Sequence, residues 1–186
     1  MRSYMRFTLL ALTLVALSCG ERSALEPTLR REYSATADKF DKLARYQNGP
    51  MTLTIAFAMK FIGPQGGTVS LLGFEVIVPP GAVSKSTLFS IRLPVDLTSS
   101  QFVRAEFGPH QQFSAPVTIR LPLKGTTAEN SNASHILWWN GYDWEPFPTT
   151  VTADGRIETQ TWHFSEFGTE EPTDPSKGII LVGGGK

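Results

Sequence analysis

From Met51 onward, apolar and polar residues alternate along short segments that are broken by turn residues. In 89–93 and 117–121 every second residue is apolar, and the residues between are Ser, Thr or Arg. Successive side chains of a strand point to opposite sides of the sheet, so this period predicts strands with one buried face. Asn140-Gly141 and Asp154-Gly155 stand between such segments, and both dipeptides favour the tight turn of a β-hairpin.

The same signals predict eight or nine short strands in all. No long helical pattern separates them, which excludes a parallel α/β sheet and predicts an all-β fold, an antiparallel β-sandwich. Besides the two segments above, the expected strands are 51–62, 68–72, 74–78, 135–139, 142–147 and, as the last strand, 160–167.

The N-terminus has a different character. Arg2 and Arg6 precede an apolar run over residues 7–17, which is too short to span about 30 Å of hydrocarbon but has the length of a signal peptide. We therefore predict a signal peptide over residues 1–18. One interpretation is an ordinary secretory signal that is cut near Cys19. The residues at the end of the run favour a second interpretation, a lipoprotein signal.

The run ends in Ala16-Leu17-Ser18-Cys19-Gly20, which resembles the lipobox of bacterial prolipoproteins, although that motif prefers Leu where this chain has Ala16. The resemblance implies cleavage before Cys19 and a lipid on its thiol, so that the protein is a lipoprotein held at a membrane of the cell envelope. Gly20 rather than Asp follows, and the usual sorting tendency then favours the outer membrane if the host has two.

Residues 19–49 are expected to form the lipidated cysteine and a helical tether. Apolar residues recur there at helical spacing, and Pro27 and Gly49 fit the helix boundaries. This short amphipathic helix would pack on the domain or space it from the membrane, and a partner-binding helix is an open alternative. Its apolar positions are Leu29, Tyr33, Thr36 or Ala37, Phe40, and Leu43 or Ala44.

Length and charge restrict the remaining possibilities. The chain of 186 residues suits one domain, placed at 50–169 and followed by an exposed tail over 170–186 that is either disordered or ends in one edge strand. Removal of residues 1–18 leaves 15 Lys and Arg, two fewer than in the full chain, against 17 Asp and Glu. A formal net charge of −2 argues against nucleic acid as a partner.

Five motifs, in order, resemble the ZU-five domain, the β-sandwich module of zonula occludens proteins, netrin receptors and ankyrins, over roughly residues 60–168. The motifs are Gly66-Gly67-Thr68-Val69; Val76-Ile77-Val78-Pro79-Pro80-Gly81-Ala82-Val83; Phe107-Gly108-Pro109-His110 with Pro116-Val117-Thr118-Ile119; Trp138-Trp139-Asn140-Gly141 with Trp144; and His163-Phe164-Ser165-Glu166-Phe167. The resemblance implies a sandwich that serves as an interaction or structural module.

His163-Phe164-Ser165 is the one constellation with potential chemistry. In some relatives of the ZU-five family this tripeptide breaks its own backbone. The resemblance implies that the Ser165 hydroxyl attacks the Phe164 carbonyl, that an ester replaces the peptide bond and that water then hydrolyses the ester, with His163 as the acid or base. Residues two apart on a strand face the same side, so His163 and Ser165 would flank one peptide bond. The alternative is plain packing, with Phe164 inward and both polar side chains bonded to neighbouring backbone.

No cofactor is expected, and no metal site, because His110, His135 and His163 are scattered and Cys19 is assigned to the lipid. Three functions remain: an interaction module on a lipid tether with an unidentified protein or envelope partner, a domain that cleaves itself between Phe164 and Ser165, and a glycan-binding module that uses exposed tryptophans. The first is the preferred interpretation, and enzymatic turnover of another substrate is not indicated.

Overall fold

The computed structural model of the protein describes residues 39–50, 56–96, 99–131 and 134–172. These residues contain eleven strands and account for most of the predicted domain. The strands are β1 (Phe57–Ile62), β2 (Gly67–Leu71), β3 (Phe74–Val78), β4 (Thr87–Arg92), β5 (Arg104–Gly108), β6 (Gln112–Pro122), β7 (Ile136–Trp139), β8 (Trp144–Phe147), β9 (Thr150–Val151), β10 (Arg156–His163) and β11 (Glu166–Thr169).

The strands form two sheets. A six-stranded sheet has the order β1-β4-β5-β11-β7-β8, and a five-stranded sheet has the order β2-β3-β6-β10-β9. Every pairing is antiparallel. Over the described residues, the prediction of an all-β domain with antiparallel sheets is therefore confirmed.

The two sheets pack face to face over one apolar core, as in a β-sandwich. The alternation that the sequence displays explains this core, because in β3, β4 and β10 every second residue is buried. Each sheet contributes fully buried side chains, among them Phe89 and Ile91 of β4, Phe107 of β5, Ile119 of β6 and Ile157 of β10.

The hairpins form where turn chemistry predicts them. Between β2 and β3 the chain passes through Leu72 and Gly73 with φ of 48° and 89°, the positive values that a two-residue hairpin turn requires. Between β7 and β8 the Asn140 side chain accepts backbone hydrogen bonds from Tyr142 (2.8 Å) and Asp143 (2.9 Å), which stabilises the bend.

Strand β5 was missing from the sequence prediction, although it lies inside the six-stranded sheet between β4 and β11. Its buried residues are Ala105 and Phe107, with Glu106 exposed between them. An alternation of five residues that begins with Arg104 and includes a small apolar residue is a weak signal beside the longer patterns of β4 and β6.

The predicted tether helix does not reach Gly49. Lys39 has helical geometry, but residues 40–42 form a turn, and Leu43, Arg45 and Tyr46 make isolated bridges to Glu170, Phe102 and Thr126. The 3.6-residue spacing of apolar side chains arises here because this segment crosses the sandwich and buries Phe40, Leu43 and Ala44. The sandwich thus includes residues 39–49 as well as the strands, and residues 20–38 lie outside the described residues.

Candidate functional site

The proposed attachment site, Cys19, and the signal peptide of residues 1–18 lie outside the described residues. Within the described ranges, no helix is long and apolar enough to cross a membrane. The lipidation of Cys19 therefore stays a prediction from the sequence.

The tripeptide His163-Phe164-Ser165 lies where the chain passes from one sheet to the other. Strand β10 of the five-stranded sheet ends at His163, and strand β11 of the six-stranded sheet begins at Glu166. The prediction of one last strand over 160–167 is therefore wrong. An irregularity in the register with β6 falls between Thr161 and His163, and the last pair of β10 with β6 is His163 opposite Gln112.

Thr161 explains how β10 ends. Its hydroxyl donates a hydrogen bond to the carbonyl of His163 (2.7 Å), and its oxygen lies 3.3 Å from the backbone nitrogen of His163, which donates to it. A side chain that bonds the backbone two residues along offers that backbone an alternative to the strand ladder. The threonine thus satisfies both backbone groups of His163 at the crossing.

Phe164 holds the crossing in place from inside the sandwich. Its side chain is 3% exposed and contacts three aromatic rings, with centroid distances of 4.8 Å to Phe113, 5.9 Å to Phe107 and 6.0 Å to Phe89. The contacts to Phe113 and Phe89 are edge-on, a favourable arrangement for aromatic pairs. These rings come from β4, β5 and β6, so Phe164 contacts both sheets at once.

The side chains of His163 and Ser165 contact two different residues of β7, and the backbone of Ser165 bonds to β5. The Ser165 hydroxyl donates to the carbonyl of Trp139 (3.2 Å), and the Ser165 carbonyl accepts from the backbone of Phe107 (3.0 Å). The imidazole of His163 packs edge-on against the ring of Trp138, with centroids 5.5 Å apart. Because His163 and Ser165 no longer belong to one strand, the expectation that they share one strand face is wrong.

What this arrangement can do chemically follows from those partners. An attack of the Ser165 hydroxyl on the carbonyl of Phe164 would require it to leave the Trp139 carbonyl, and proton transfer would require His163 to move toward that hydroxyl. The described geometry is that of the packing alternative, with a buried Phe164 and a hydroxyl bonded to neighbouring backbone. Self-cleavage stays a prediction that a chemical experiment can test.

A second cluster, which the sequence did not reveal, lies on the outer face of the six-stranded sheet. Residues Phe40, Leu43, Phe102, Leu137 and Trp144 are buried together there, with Trp139 packed against them. Lys39 and Arg104 complete it, because the Lys39 ammonium lies 4.3 Å from the Trp139 ring centroid and the Arg104 guanidinium 4.5 Å from that of Phe40. Both cations also pair with Glu166.

The outer face of the five-stranded sheet is polar. Arg120 pairs with Glu75 (3.1 Å) and with Glu158 (2.8 Å), and Arg156 pairs with Glu75 (3.1 Å). The hydrogen bond to Glu158 is the main cause of the raised pKa of Arg120. Beside this network lies an open groove of ≈ 360 Å³ lined by Thr118, Pro148, Thr149, Thr150, Glu158, Thr159 and Gln160.

The tryptophans divide into packing residues and one half-exposed ring. Trp144 is buried, and its indole nitrogen donates to the carbonyl of Lys39 (2.6 Å). Trp138 and Trp139 are partly buried, and among the four tryptophans, all of which the structure describes, only Trp162 is as much as 50% exposed. A glycan platform on exposed tryptophans stays a prediction, with Trp162 as its one half-exposed residue.

The three histidines lie in separate places. His110 is 3.6 Å from a carboxylate oxygen of Glu106, His135 is 2.6 Å from one of Glu170, and His163 packs on Trp138. Over the described part of the chain, no group of three or more His, Cys, Asp or Glu side chains is arranged to hold a metal ion.

Comparison with known proteins adds no assignment. No protein-family model matches this chain, and no curated protein matches it. The resemblance to the ZU-five domain therefore stays a prediction.

Proposed function

We propose that the protein is a lipoprotein of a bacterial cell envelope, anchored through a lipid on Cys19, whose β-sandwich serves as an interaction module. The observation that carries the proposal is the apolar run 7–17 behind two arginines, which ends in Ser18-Cys19-Gly20. A multiply acylated cysteine binds a bilayer durably, because each buried CH₂ contributes about 0.8 kcal/mol.

The length of chain between the anchor and the sandwich supports the role of the sandwich as an interaction module. Residues 20–38 separate Cys19 from Lys39, the first residue that the structure describes. This length keeps the sandwich close to the membrane surface while leaving it able to meet a partner. The sandwich also has apolar side chains on its surface, including Phe57, Met59 and Phe61 of the edge strand β1.

The anchor is tested by expression of the full chain in a bacterial host beside Cys19→Ser and, as a matched control, Ser23→Ala. The parent and Ser23→Ala are expected to partition into detergent, and their mature N-terminal peptide is expected to begin at Cys19 with the mass of added acyl chains. Cys19→Ser is expected to lose both properties. A mature parent that begins elsewhere, or that carries an unmodified Cys19, would refute the proposal.

Self-processing between Phe164 and Ser165 is the second candidate, and the position of the tripeptide would let the fold survive a cut. The bond lies at a crossing that is fixed on both sides. On one side β10 pairs with both β6 and β9, and on the other side β11 lies between β5 and β7. A cut there would leave the C-terminal piece bound through the six-stranded sheet, so that the protein remains folded in two pieces.

Intact mass under denaturing conditions tests this candidate on the chain from Gly20 to Lys186. Self-cleavage gives a parent that loses the mass of residues 165–186 and a Ser165→Ala variant that stays whole. If the parent is cut, His163→Ala is the next variant, and slower cutting assigns the imidazole its role in proton transfer. A parent that stays whole, as Ser165→Ala does, would refute self-cleavage under the conditions tested.

A further inference from the structure

Strand β1 is an end strand of the six-stranded sheet, where it pairs with β4 in a regular register without a bulge. Phe57, Met59 and Phe61 are 54%, 55% and 70% exposed. They alternate with Ala58 and Ile62, which pack toward the core. The outer face of β1 therefore carries a row of apolar side chains along an edge of the sheet. These three exposed residues are called the β1 row below.

The backbone of the β1 row points away from the sheet. The amide of Leu93 donates to the carbonyl of Ala56 (2.7 Å), so the backbone groups of Ala56 face β4. Along an antiparallel strand these groups face the two sides alternately, and the register of β1 with β4 has no shift. The N–H and C=O groups of Phe57, Met59 and Phe61 therefore point to the edge, where the described residues place no strand. The same three residues thus present apolar side chains and backbone bonding groups to a partner.

The other edge strands in the described part of the chain are of kinds that resist pairing. Strand β8 carries Glu145 and Pro146, and β9 has only two residues. Strand β2 turns the polar Thr68 and Ser70 outward. Charge, proline and shortness are the devices that protect an edge, and β1 has one such residue, Lys60. Its ammonium donates to the Thr68 carbonyl (3.0 Å), so this charge is directed toward β2.

The β1 row is complementary to itself. Phe57 and Phe61 stand two positions on either side of Met59. A two-fold axis at Met59 would therefore bring Phe57 opposite Phe61 of a second copy and Met59 opposite itself. Opposed aromatic side chains stabilise a strand pair, and each opposed pair of the row can exchange two backbone hydrogen bonds. On the inner side, the same register sets Lys60 against Ala58, a small residue.

We propose that two copies of this chain pair their β1 strands antiparallel about a two-fold axis at Met59, which joins two six-stranded sheets into one. The pairing satisfies the edge backbone and covers the β1 row in a single step. It rests on the proposed role of the sandwich as an interaction module, for which it names a second copy as the partner. It does not rest on the anchor at Cys19.

The size of the β1 row predicts a reversible dimer. Large side chains present about 150–250 Å², so the exposed fractions amount to roughly 350 Å² of apolar surface per copy. A standard interface buries about 800 Å² per partner, which places this one among the weak interfaces. Anchors that hold both copies on one membrane would raise their effective concentration and favour the pair.

Substitution of Met59 tests the register, because only a residue on the two-fold axis faces itself. Full chains are purified in detergent from a bacterial host: the parent, Met59→Lys, Met59→Glu and the control Tyr142→Lys, which places a charge on the exposed turn between β7 and β8. Sedimentation equilibrium in density-matched detergent gives the dissociation constant of the dimer. We expect the parent and Tyr142→Lys to dimerise equally. Met59→Lys and Met59→Glu alone should dimerise several-fold more weakly, because like charges stand opposite each other, and an equal mixture of the two should recover the dimer.

Amide hydrogen exchange locates the pairing and monitors the fold. In the parent, the amides of the β1 row should be protected at high protein concentration and exchange faster on dilution. The amides of Ala58 and Lys60, which face β4, should be protected at both concentrations. Protection of β6 and β10 should be equal in all variants, which separates a lost partner from a lost fold.

Three kinds of result overturn the proposal. A parent that is monomeric at every concentration, or a dimer that Met59→Lys leaves unchanged, would exclude pairing through β1. Protection of the β1 row in a monomeric parent would identify a segment of the same chain as the cover. Protection that requires added phospholipid vesicles would identify a lipid surface. A missing anchor at Cys19, by contrast, would change the detergent partitioning of all four chains alike and leave these comparisons intact.

Discussion

Replacement of Phe164 by Ala tests whether the tripeptide at the crossing is held by packing. The side chain is 3% exposed, and its ring centroid lies within 6.0 Å of those of three other phenylalanines. A buried Phe→Ala change costs about 3–5 kcal/mol, because the apolar transfer energy is lost and a cavity remains. With its edge-on aromatic pairs, Phe164 is expected to lie at least in the middle of that range, at about 4 kcal/mol.

The assay is urea unfolding followed by tryptophan fluorescence, with the free energy obtained by linear extrapolation. Tyr142→Ala is the matched control, because Tyr142 is 93% exposed and its loss is expected to change stability by no more than about 0.5 kcal/mol. A loss of less than about 1 kcal/mol for Phe164→Ala would refute the reasoning. It would mean that Phe164 lies outside the core and that residues 163–165 do not follow the described crossing.

Three further changes have outcomes that the structure fixes. Gly66→Ala should lower the free energy of unfolding in urea more than Gly81→Ala. Both glycines have positive φ, which costs a non-glycine residue about 1–2 kcal/mol, but only at Gly66 would the new Cβ meet backbone, 2.5 Å from the carbonyl oxygen of Val78 at the end of β3. Equal losses in the two variants would contradict this. The hydrogen bond from Arg156 lowers the pKa of Asp154 to about 2. The ionised carboxylate therefore stabilises the fold fully above its unfolded pKa of about 4, and this stabilisation is lost as the pH falls to about 2. Over that window the melting temperature of Asp154→Asn should fall less steeply than that of the parent. Trp144→Phe should lower the free energy of unfolding by about 1 kcal/mol in thermal unfolding, because the carbonyl of Lys39 loses its indole donor. An unchanged melting temperature would show that this hydrogen bond is not formed.

The alternation of apolar residues was sufficient to predict most of the strands and the hairpins between them. It reports directly which side chains of a strand are buried, and turn residues such as Asn140-Gly141 add the local bend. The tripeptide at 163–165 was singled out by its resemblance to self-cleaving relatives of the ZU-five family and not by the alternation. These features are local in sequence, so no knowledge of the tertiary structure was needed to find them.

Which sheet each strand joins was decided by the tertiary structure alone. A period of two is identical for every sheet, so the pattern over 160–167 cannot show that β10 and β11 belong to different sheets, with Phe164 buried at the crossing. The prediction of a helix through Gly49 was wrong for a related reason. Phe40, Leu43 and Ala44 are apolar at helical spacing because they contact the sandwich, and that contact comes from residues more than fifty positions further along the chain.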